Sequence, residues 1–250
     1  MISKNRLKEL AGYRLQKRCD EEAVFVVEGP KMAAEALASG FRVRAVCATA
    51  EWLAARSGHV VADEVCEVSQ AELERLSGMK APNQVWMLLD RPDISTYQHI
   101  NISTAGTLTL ALDRIQDPGN MGTLMRTADW FGVRRIVCSA DTVSCFNPKV
   151  VQASMGAVFR TRVEYTDLPA WLAVCGMEVY GASLQGQPLS GHWPLATGPS
   201  VLLIGNESRG ISAEAMAHVT QPVLIPNLGG TAESLNAAVA AGILMYHLTK

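Results

Sequence analysis

Residues 201–210 read VLLIGNESRG, an apolar run that stops at a glycine and turns at once into a charged loop closed by a second glycine. A short apolar run such as Val201 to Ile204, bounded by turn formers, is the pattern of a fully buried strand. The same grammar stands at 107–123 (TLTLALDRIQDPGNMGT) and at 223–236 (VLIPNLGGTAESLN), each loop feeding an apolar helix. Working outward, strands are expected at Thr107 to Leu112, Arg135 to Cys138, Thr161 to Tyr165, Glu178 to Ala182 and Val223 to Ile225. Helices are expected from about Met121, over Lys149 to Phe159 and Pro169 to Val174, after Ser212, and from about Asn236. Strict alternation of this kind predicts an α/β fold, a mainly parallel sheet with helices on both faces. In such sheets ligands bind beyond the carboxyl ends of strands, so the loops after Leu112, Ile204 and Ile225 are the candidates for chemistry.

Upstream the rhythm is shorter. Ala23 to Val27 and Arg42 to Thr49 are β-like, Lys31 to Ser39 is an Ala-rich helix closed by Gly40, Ser69-Gln70-Ala71-Glu72 has the form of a capping box, and Val85 to Leu89 is a compact strand. Residues 91–106 are poor in large apolar side chains and rich in Ser, Thr, Pro and Gly, the composition of a connector. The expected organisation is a small α/β domain over 1–92, a linker over 93–106 and a second domain over 107–250.

With 250 residues and 48% hydrophobic composition the chain can bury two cores. The opening segment MISKNRLKEL is charged, and no stretch approaches the length of a membrane span, so a cytoplasmic, membrane-free protein is expected. The cysteines (Cys19, Cys47, Cys66, Cys138, Cys145, Cys175) are scattered without a CxxC pair and the histidines form no cluster, which predicts reduced thiols and no metal site. The net charge of −2 does not advertise nucleic-acid binding. Its distribution is less even: Lys4, Arg6, Lys8, Arg14, Lys17 and Arg18 face a single acid, Glu9, before residue 19. That cluster is either an RNA-binding surface or the solvated face of an opening helix.

Gly119 and Gly122 permit a tight turn but fit neither the GxGxxG dinucleotide fingerprint nor a P-loop, which argues against a dinucleotide-dependent oxidoreductase and an NTPase. On the following helix Leu124, Ala128 and Phe131 form an apolar stripe, and Arg126 lies off it, able to turn toward the loop mouth, where a guanidinium suits a phosphate. Singly, each loop is also read as a turn with ordinary caps. Trp130 and Trp171 are read as packing residues.

Together the three loops resemble the signature motifs of the SPOUT 2'-O-methyltransferases of the TrmH/SpoU type. Asn120, Gly122 and Arg126 match the first motif, Ile204 to Gly210 the second, and Ile225-Pro226 with Ser234-Leu235-Asn236 the third; Asn147-Pro148-Lys149 and Ala153-Ser154-Met155-Gly156 resemble the family's middle segment. FVVEGPKMAAEAL, residues 25–37, is similar to the ribosomal-protein-like RNA-binding domain often fused ahead of the catalytic one. One departure is a segment of seven residues, Asn227 to Glu233, between Pro226 and Ser234, one longer than in many relatives.

The resemblance implies a trefoil knot in the C-terminal domain, S-adenosylmethionine as cofactor, and methylation of a ribose 2'-hydroxyl in structured RNA, ribosomal RNA before transfer RNA. It implies catalytic roles for Asn120, Arg126, Glu207 and Asn236, with Asn120 orienting Arg126 and Glu207 anchoring that arginine or the motif-two turn. Leu203, Gly205, Ile225, Ser234 and Leu235 would hold the cofactor. Lys4, Arg6, Arg14, Lys17, Arg18 and Arg209 would contact RNA, Arg209 across a homodimer formed through the C-terminal and motif-one helices. Two other readings are a catalytically inactive RNA-binding protein of the same fold and a SPOUT enzyme methylating a base.

Overall fold

The computed structural model describes residues 2–56, 60–92, 108–189 and 198–249. The expected linker 93–106, Thr107, His59, His99 and His192 lie outside the described residues. The chain forms two compact units, Met1–Gln98 with Phe146–Phe159, and His99–Cys145 with Arg160–Lys250.

In the first unit α1 (Lys4–Ala11) and α2 (Gln16–Glu21) precede β1 (Val24–Glu28), α3 (Pro30–Ala38), β2 (Val43–Ala48), α4 (Ala50–Ala54), β3 (Glu64–Glu67), α5 (Gln70–Leu76) and β4 (Val85–Asp90). The sheet order is β1-β4-β2-β3, with β4 antiparallel to both its neighbours and β3 parallel to β2. β1 and β4 are buried along almost their whole length, which is why they read as continuous apolar runs rather than alternating ones. Leu7, Leu10 and Tyr13 close one face by packing with Val24, Val26, Trp86 and Leu88. Elsewhere in this unit Phe25 lies 4.9 Å from Phe146, and Phe41 lies 5.4 Å edge-on from Phe159, ring centre to ring centre. The capping box forms as expected: Ser69 Oγ accepts the Glu72 N–H at 3.3 Å and Glu72 Oε2 accepts the Ser69 N–H at 2.8 Å, a device that contributes ~1 kcal/mol to α5.

The expected helix over Lys149 to Phe159 is two pieces, α7 (Pro148–Ser154) and a 3-10 turn Ala157–Phe159. The break is backbone-driven, because Met155 and Gly156 both have positive φ (50° and 92°), the left-handed geometry that ends helices.

The second unit contains β5 (Leu108–Asp113), α6 (Pro118–Trp130), β6 (Arg135–Ser139), β7 (Arg162–Thr166), α8 (Leu168–Val174), β8 (Glu178–Pro188), β9 (Ser200–Gly205), α9 (Ala213–Met216), β10 (Gln221–Leu224) and α10 (Ala237–Leu248). Its six strands lie in the order β10-β8-β9-β5-β6-β7 with every neighbouring pair parallel. Ala111, Val201 and Leu203 pack with Leu168, Leu172 and Ala215 of α8 and α9, while the alternate residues Leu110, Leu112, Leu202 and Ile204 are equally buried. α6 and α10 pack on each other, with Gly242 facing the Thr127 methyl. The chain fills the sheet outward from β5 through β7 and then returns on its other side, so the topological switch lies between β5 and β9, where a ligand crevice is expected. The register pairs Asp113 with Gly205, and the loops after these two strands leave the sheet side by side.

The two tryptophans expected to pack, Trp130 and Trp171, differ. Trp171 packs against the α8 core, whereas Trp130 is 84% exposed because it falls on the outer face of the last turn of α6. None of the six cysteines is in a disulfide; Cys66 and Cys175 are half-buried and the others buried. No described helix is long and apolar enough to cross a membrane.

Candidate active site

The first loop is fixed by the start of α6. Asp117 caps the helix, its Oδ1 accepting the Asn120 N–H at 2.7 Å, and Pro118 occupies a first-turn position where no N–H is needed. Asn120 is thereby held with its side chain free to bond elsewhere. Its Nδ2 donates to Glu207 Oε1 at 2.8 Å, and its Oδ1 accepts from Asn236 Nδ2 at 2.8 Å. Asn236 in turn caps α10, its Oδ1 accepting the Ala238 N–H at 2.9 Å. One chain of side-chain hydrogen bonds, Asn236 to Asn120 to Glu207, thus joins loops 87 and 116 residues apart in sequence. Each neutral bond contributes ~1 kcal/mol and the one to the carboxylate somewhat more.

The second loop is tightened by Asn206. Its backbone exchanges hydrogen bonds with Gly210 at 3.0 and 2.9 Å, and its Oδ1 accepts the Ser208 and Arg209 N–H groups. Its Nδ2 donates to the Arg114 carbonyl at 2.8 Å, tying the second loop to the first. Gly205 is obligatory here: a Cβ would sit 2.2 Å from the Gly210 carbonyl carbon and from the Ile211 nitrogen. Asp113, buried at the end of β5, accepts the Ser212 N–H at 2.6 Å and so positions the start of α9. In the third loop Asn227 organises the longer segment from within, accepting from Gly229 and Gly230 N–H and donating to the Gly230 and Ala232 carbonyls.

Between the second and third loops lies a cavity of about 890 Å³. Gly205, Ile225, Ser234 and Leu235 border it; Leu203 does not, being enclosed in β9, and its neighbour Ile204 takes that place. Size and lining, apolar side chains interleaved with loop backbone, fit a nucleoside-like small molecule.

Arg126 stands on α6 about 9 Å of helix rise beyond Asn120. It is exposed and has no hydrogen-bond partner among the described residues. Asn120 and Glu207 bond to each other instead of to it, so Glu207 anchors Asn120 and, through a 3.4 Å contact with Asn206, the second loop. Arg209 is exposed on that loop. No local sequence signal marks Asn206, Asp113 or Arg114 for these roles.

In the first unit the basic cluster divides. Lys4, Arg14 and Lys17 are exposed. Arg6 instead bonds Glu64 at 2.9 Å and Glu9 at 2.8 Å, and Arg18 bonds Glu22 at 3.1 Å while lying 4.2 Å over the Tyr13 ring. Arg6 holds the Glu64 carboxyl below the usual carboxylate range.

Residues 107–246 match the SpoU rRNA Methylase family, and residues 4–86 match the MRM3-like substrate binding domain. The chain is 30% identical over 246 residues to the 23S rRNA (guanosine(2553)-2'-O)-methyltransferase RlmP of Bacillus subtilis, spanning 97% of this chain and 95% of that one. It is 26% identical to the mitochondrial rRNA methyltransferase 3 of Homo sapiens, over 72% of this chain and 56% of that one. A TrmH-family structure from Porphyromonas gingivalis superposes with a TM-score of 0.84 at 39% identity, covering 99% of this chain and 98% of that one. An AdoMet-bound rRNA methyltransferase from Sinorhizobium meliloti superposes with a TM-score of 0.82 at 28% identity, covering 99% and 95%. With the second and third loops enclosing one cavity and Asn120 of the first loop hydrogen-bonded to Glu207 and Asn236, the chain, matched over residues 107–246, belongs to the SpoU rRNA methylase family.

Proposed function

We propose that this protein methylates a ribose 2'-hydroxyl of ribosomal RNA, with S-adenosylmethionine bound in the cavity beside Gly205, Ile225 and Leu235, and that it works as a homodimer in the cytoplasm. The cofactor supplies an electrophilic sulfonium methyl, and the relatives named as rRNA 2'-O-methyltransferases support the choice of nucleophile. The observation that carries the site assignment is the Asn236–Asn120–Glu207 chain, which links the cavity's Glu207 to the helix that presents an unpaired Arg126.

Displacement of this kind needs two reactants held in line more than it needs a strong base. A guanidinium cannot serve as proton acceptor, since it stays protonated at any working pH. Arg126 therefore binds the substrate phosphate and stabilises the alkoxide as it forms, while the proton leaves to phosphate or water. Asn120 and Asn236 orient the sugar, Glu207 keeps Asn120 in register with the second loop, and Ser234 contacts the methyl donor. Leu203 acts from within β9, through the strand that carries Ile204 and Gly205 to the cavity. Residues 1–92 bind RNA through Lys4, Arg14 and Lys17, with Arg6 and Arg18 shaping that surface; 93–106 connect them to the methylase domain.

The dimer is proposed on α10, where Val239, Ile243 and Tyr246 form an exposed apolar stripe at i, i+4 and i+7 beside Thr123 and Thr127 of α6. A self-complementary contact of this stripe would place Arg209 near the partner's substrate. The test is transfer of labelled methyl to unmodified ribosomal RNA, wild type beside Arg126→Ala, with nuclease digestion of the product. Label on ribose that disappears in the variant is expected; label on a base, or RNA binding without transfer, would overturn the reading.

A further inference from the structure

The charged side chains that border the cavity between the second and third loops do not balance. Among the described residues lining it, Glu207 and Glu233 are the acids and Arg209 the one cation, and two acids against one cation leave a net charge of −1. The two acids are not equivalent. Glu207 is committed, its Oε1 accepting from Asn120 at 2.8 Å and its Oε2 from Asn206 at 3.4 Å. Glu233 is exposed, and among the described residues no hydrogen bond or ion pair holds its carboxylate. Its backbone is nonetheless braced, since the bonds by which Asn227 organises the third loop run to the Ala232 carbonyl, one residue before it. An uncommitted carboxylate on a preorganised loop exerts its field on whatever the cavity holds.

A cavity of about 890 Å³ is roughly 12 Å across, so every ligand atom inside it stands within about that distance of Glu233. No direct contact is needed for the charge to be felt. At about 8 Å and an effective dielectric of about 60, one unit of charge shifts a binding constant about threefold. Methyl transfer changes the charge of the bound molecule by that one unit. The S–CH3 bond breaks as the O–CH3 bond forms, the electron pair stays on sulfur, the hydroxyl proton leaves to phosphate or water, and a cationic sulfonium becomes a neutral thioether. The amino-acid end and the nucleoside are the same before and after, so their interactions cancel when the two molecules are compared.

We propose that Glu233 makes the cavity select the sulfonium cofactor over its thioether product, S-adenosylhomocysteine, so that the spent molecule is held less tightly and is exchanged. This rests on the reading of the cavity as the S-adenosylmethionine site and adds to it a residue that senses the charge on sulfur. The test is calorimetric titration of the full-length protein with each of the two molecules at about 10 mM and about 500 mM salt, for wild type, Glu233→Gln, Glu233→Lys and Arg209→Gln. At low salt the ratio of the two dissociation constants is expected to move against S-adenosylmethionine about threefold in Glu233→Gln and about tenfold in Glu233→Lys, and about threefold in its favour in Arg209→Gln. High salt, where the screening length falls to a few ångström, should remove most of each shift. An unchanged ratio in Glu233→Gln would overturn the proposal. So would an equal loss of affinity for both molecules, which would make Glu233 a contact to the amino group they share. If wild type binds neither, the functional reading falls and takes this one with it; if it binds both and the ratio does not follow the charge, this inference alone falls.

Discussion

Both units tie most of their arginines to carboxylates, and they differ in the exposed arginine that the second unit keeps beside its loops. In the first, Arg6, Arg18, Arg44 and Arg91 are each tied to carboxylates of the same unit, so the guanidinium groups brace helices and strands. In the second, Arg126 stands exposed beside a site whose polar residues bond to one another across loops. Density of positive charge in the sequence therefore does not by itself mark a cation left available for phosphate. A free cation next to a preorganised clasp is a better sign, since its hydrogen bonds are available to the substrate and cost no broken ion pair.

The contrast can be broken most severely at Gly205. Gly205→Ala forces a Cβ into the Gly210 backbone, so cofactor affinity measured calorimetrically is expected to fall at least about a hundredfold, ~2.7 kcal/mol, with a lower melting temperature. Unchanged affinity would mean that the second loop does not shape the cavity. Asn120→Ala removes the middle of the clasp while leaving the helix cap, which belongs to Asp117. A kcat about tenfold lower with near-normal cofactor binding is the expected steady-state result. In the first unit, Lys4→Glu combined with Arg14→Glu should weaken RNA binding about tenfold at low salt and flatten its salt dependence, whereas Arg6→Ala should chiefly lower thermal stability. Equal loss of RNA affinity in both would erase the distinction between free and paired cations.

The smallest effect concerns two carboxylates of the first unit that titrate in opposite senses. Burial pushes Glu28 up, partly offset by the Ser77 hydroxyl and Gly78 N–H, while Arg6 holds Glu64 down. A raised carboxyl contributes its stability at and below the ordinary carboxylate range and loses it as pH rises through its folded value. A lowered one contributes above that range and loses its share as pH falls. Glu28→Gln should therefore gain melting temperature relative to wild type on going from about pH 5 to pH 8. The deficit of Glu64→Gln should shrink from about pH 6 to pH 3; each shift is a degree or two. Melting curves across pH check both, and parallel curves would refute them.

Much of this fold was legible because the central strands are buried on both faces and their apolar runs admit few other readings. β3 was not legible: Glu64-Val65-Cys66-Glu67 is a half-exposed edge strand with acids at both ends, and α4 is only five residues long. β8 was expected to end at Ala182, yet it continues through polar Ser183, Gln185 and Gln187 to Pro188. Gly186 allows this by letting the Pro222 and Val223 backbone approach. The site's loops were legible through their motifs, but their wiring was not. Asn206 reaching the Arg114 carbonyl, and Glu64 neutralising Arg6 from 58 residues away, are tertiary pairings without a local signal. The exposure of Trp130 was hidden for a related reason: an aromatic at the end of an amphipathic helix faces core or solvent according to less than a quarter turn of rotation.

The most direct test of the central claim is single-turnover methyl transfer by Arg126→Ala at saturating RNA and cofactor, with both affinities measured on the same protein. A rate at least a hundredfold below wild type, about 2.7 kcal/mol of transition-state stabilisation, with cofactor affinity within about twofold, is the expected result. A rate within a few fold of wild type, or a loss wholly explained by weaker cofactor binding, would contradict the role assigned to the guanidinium.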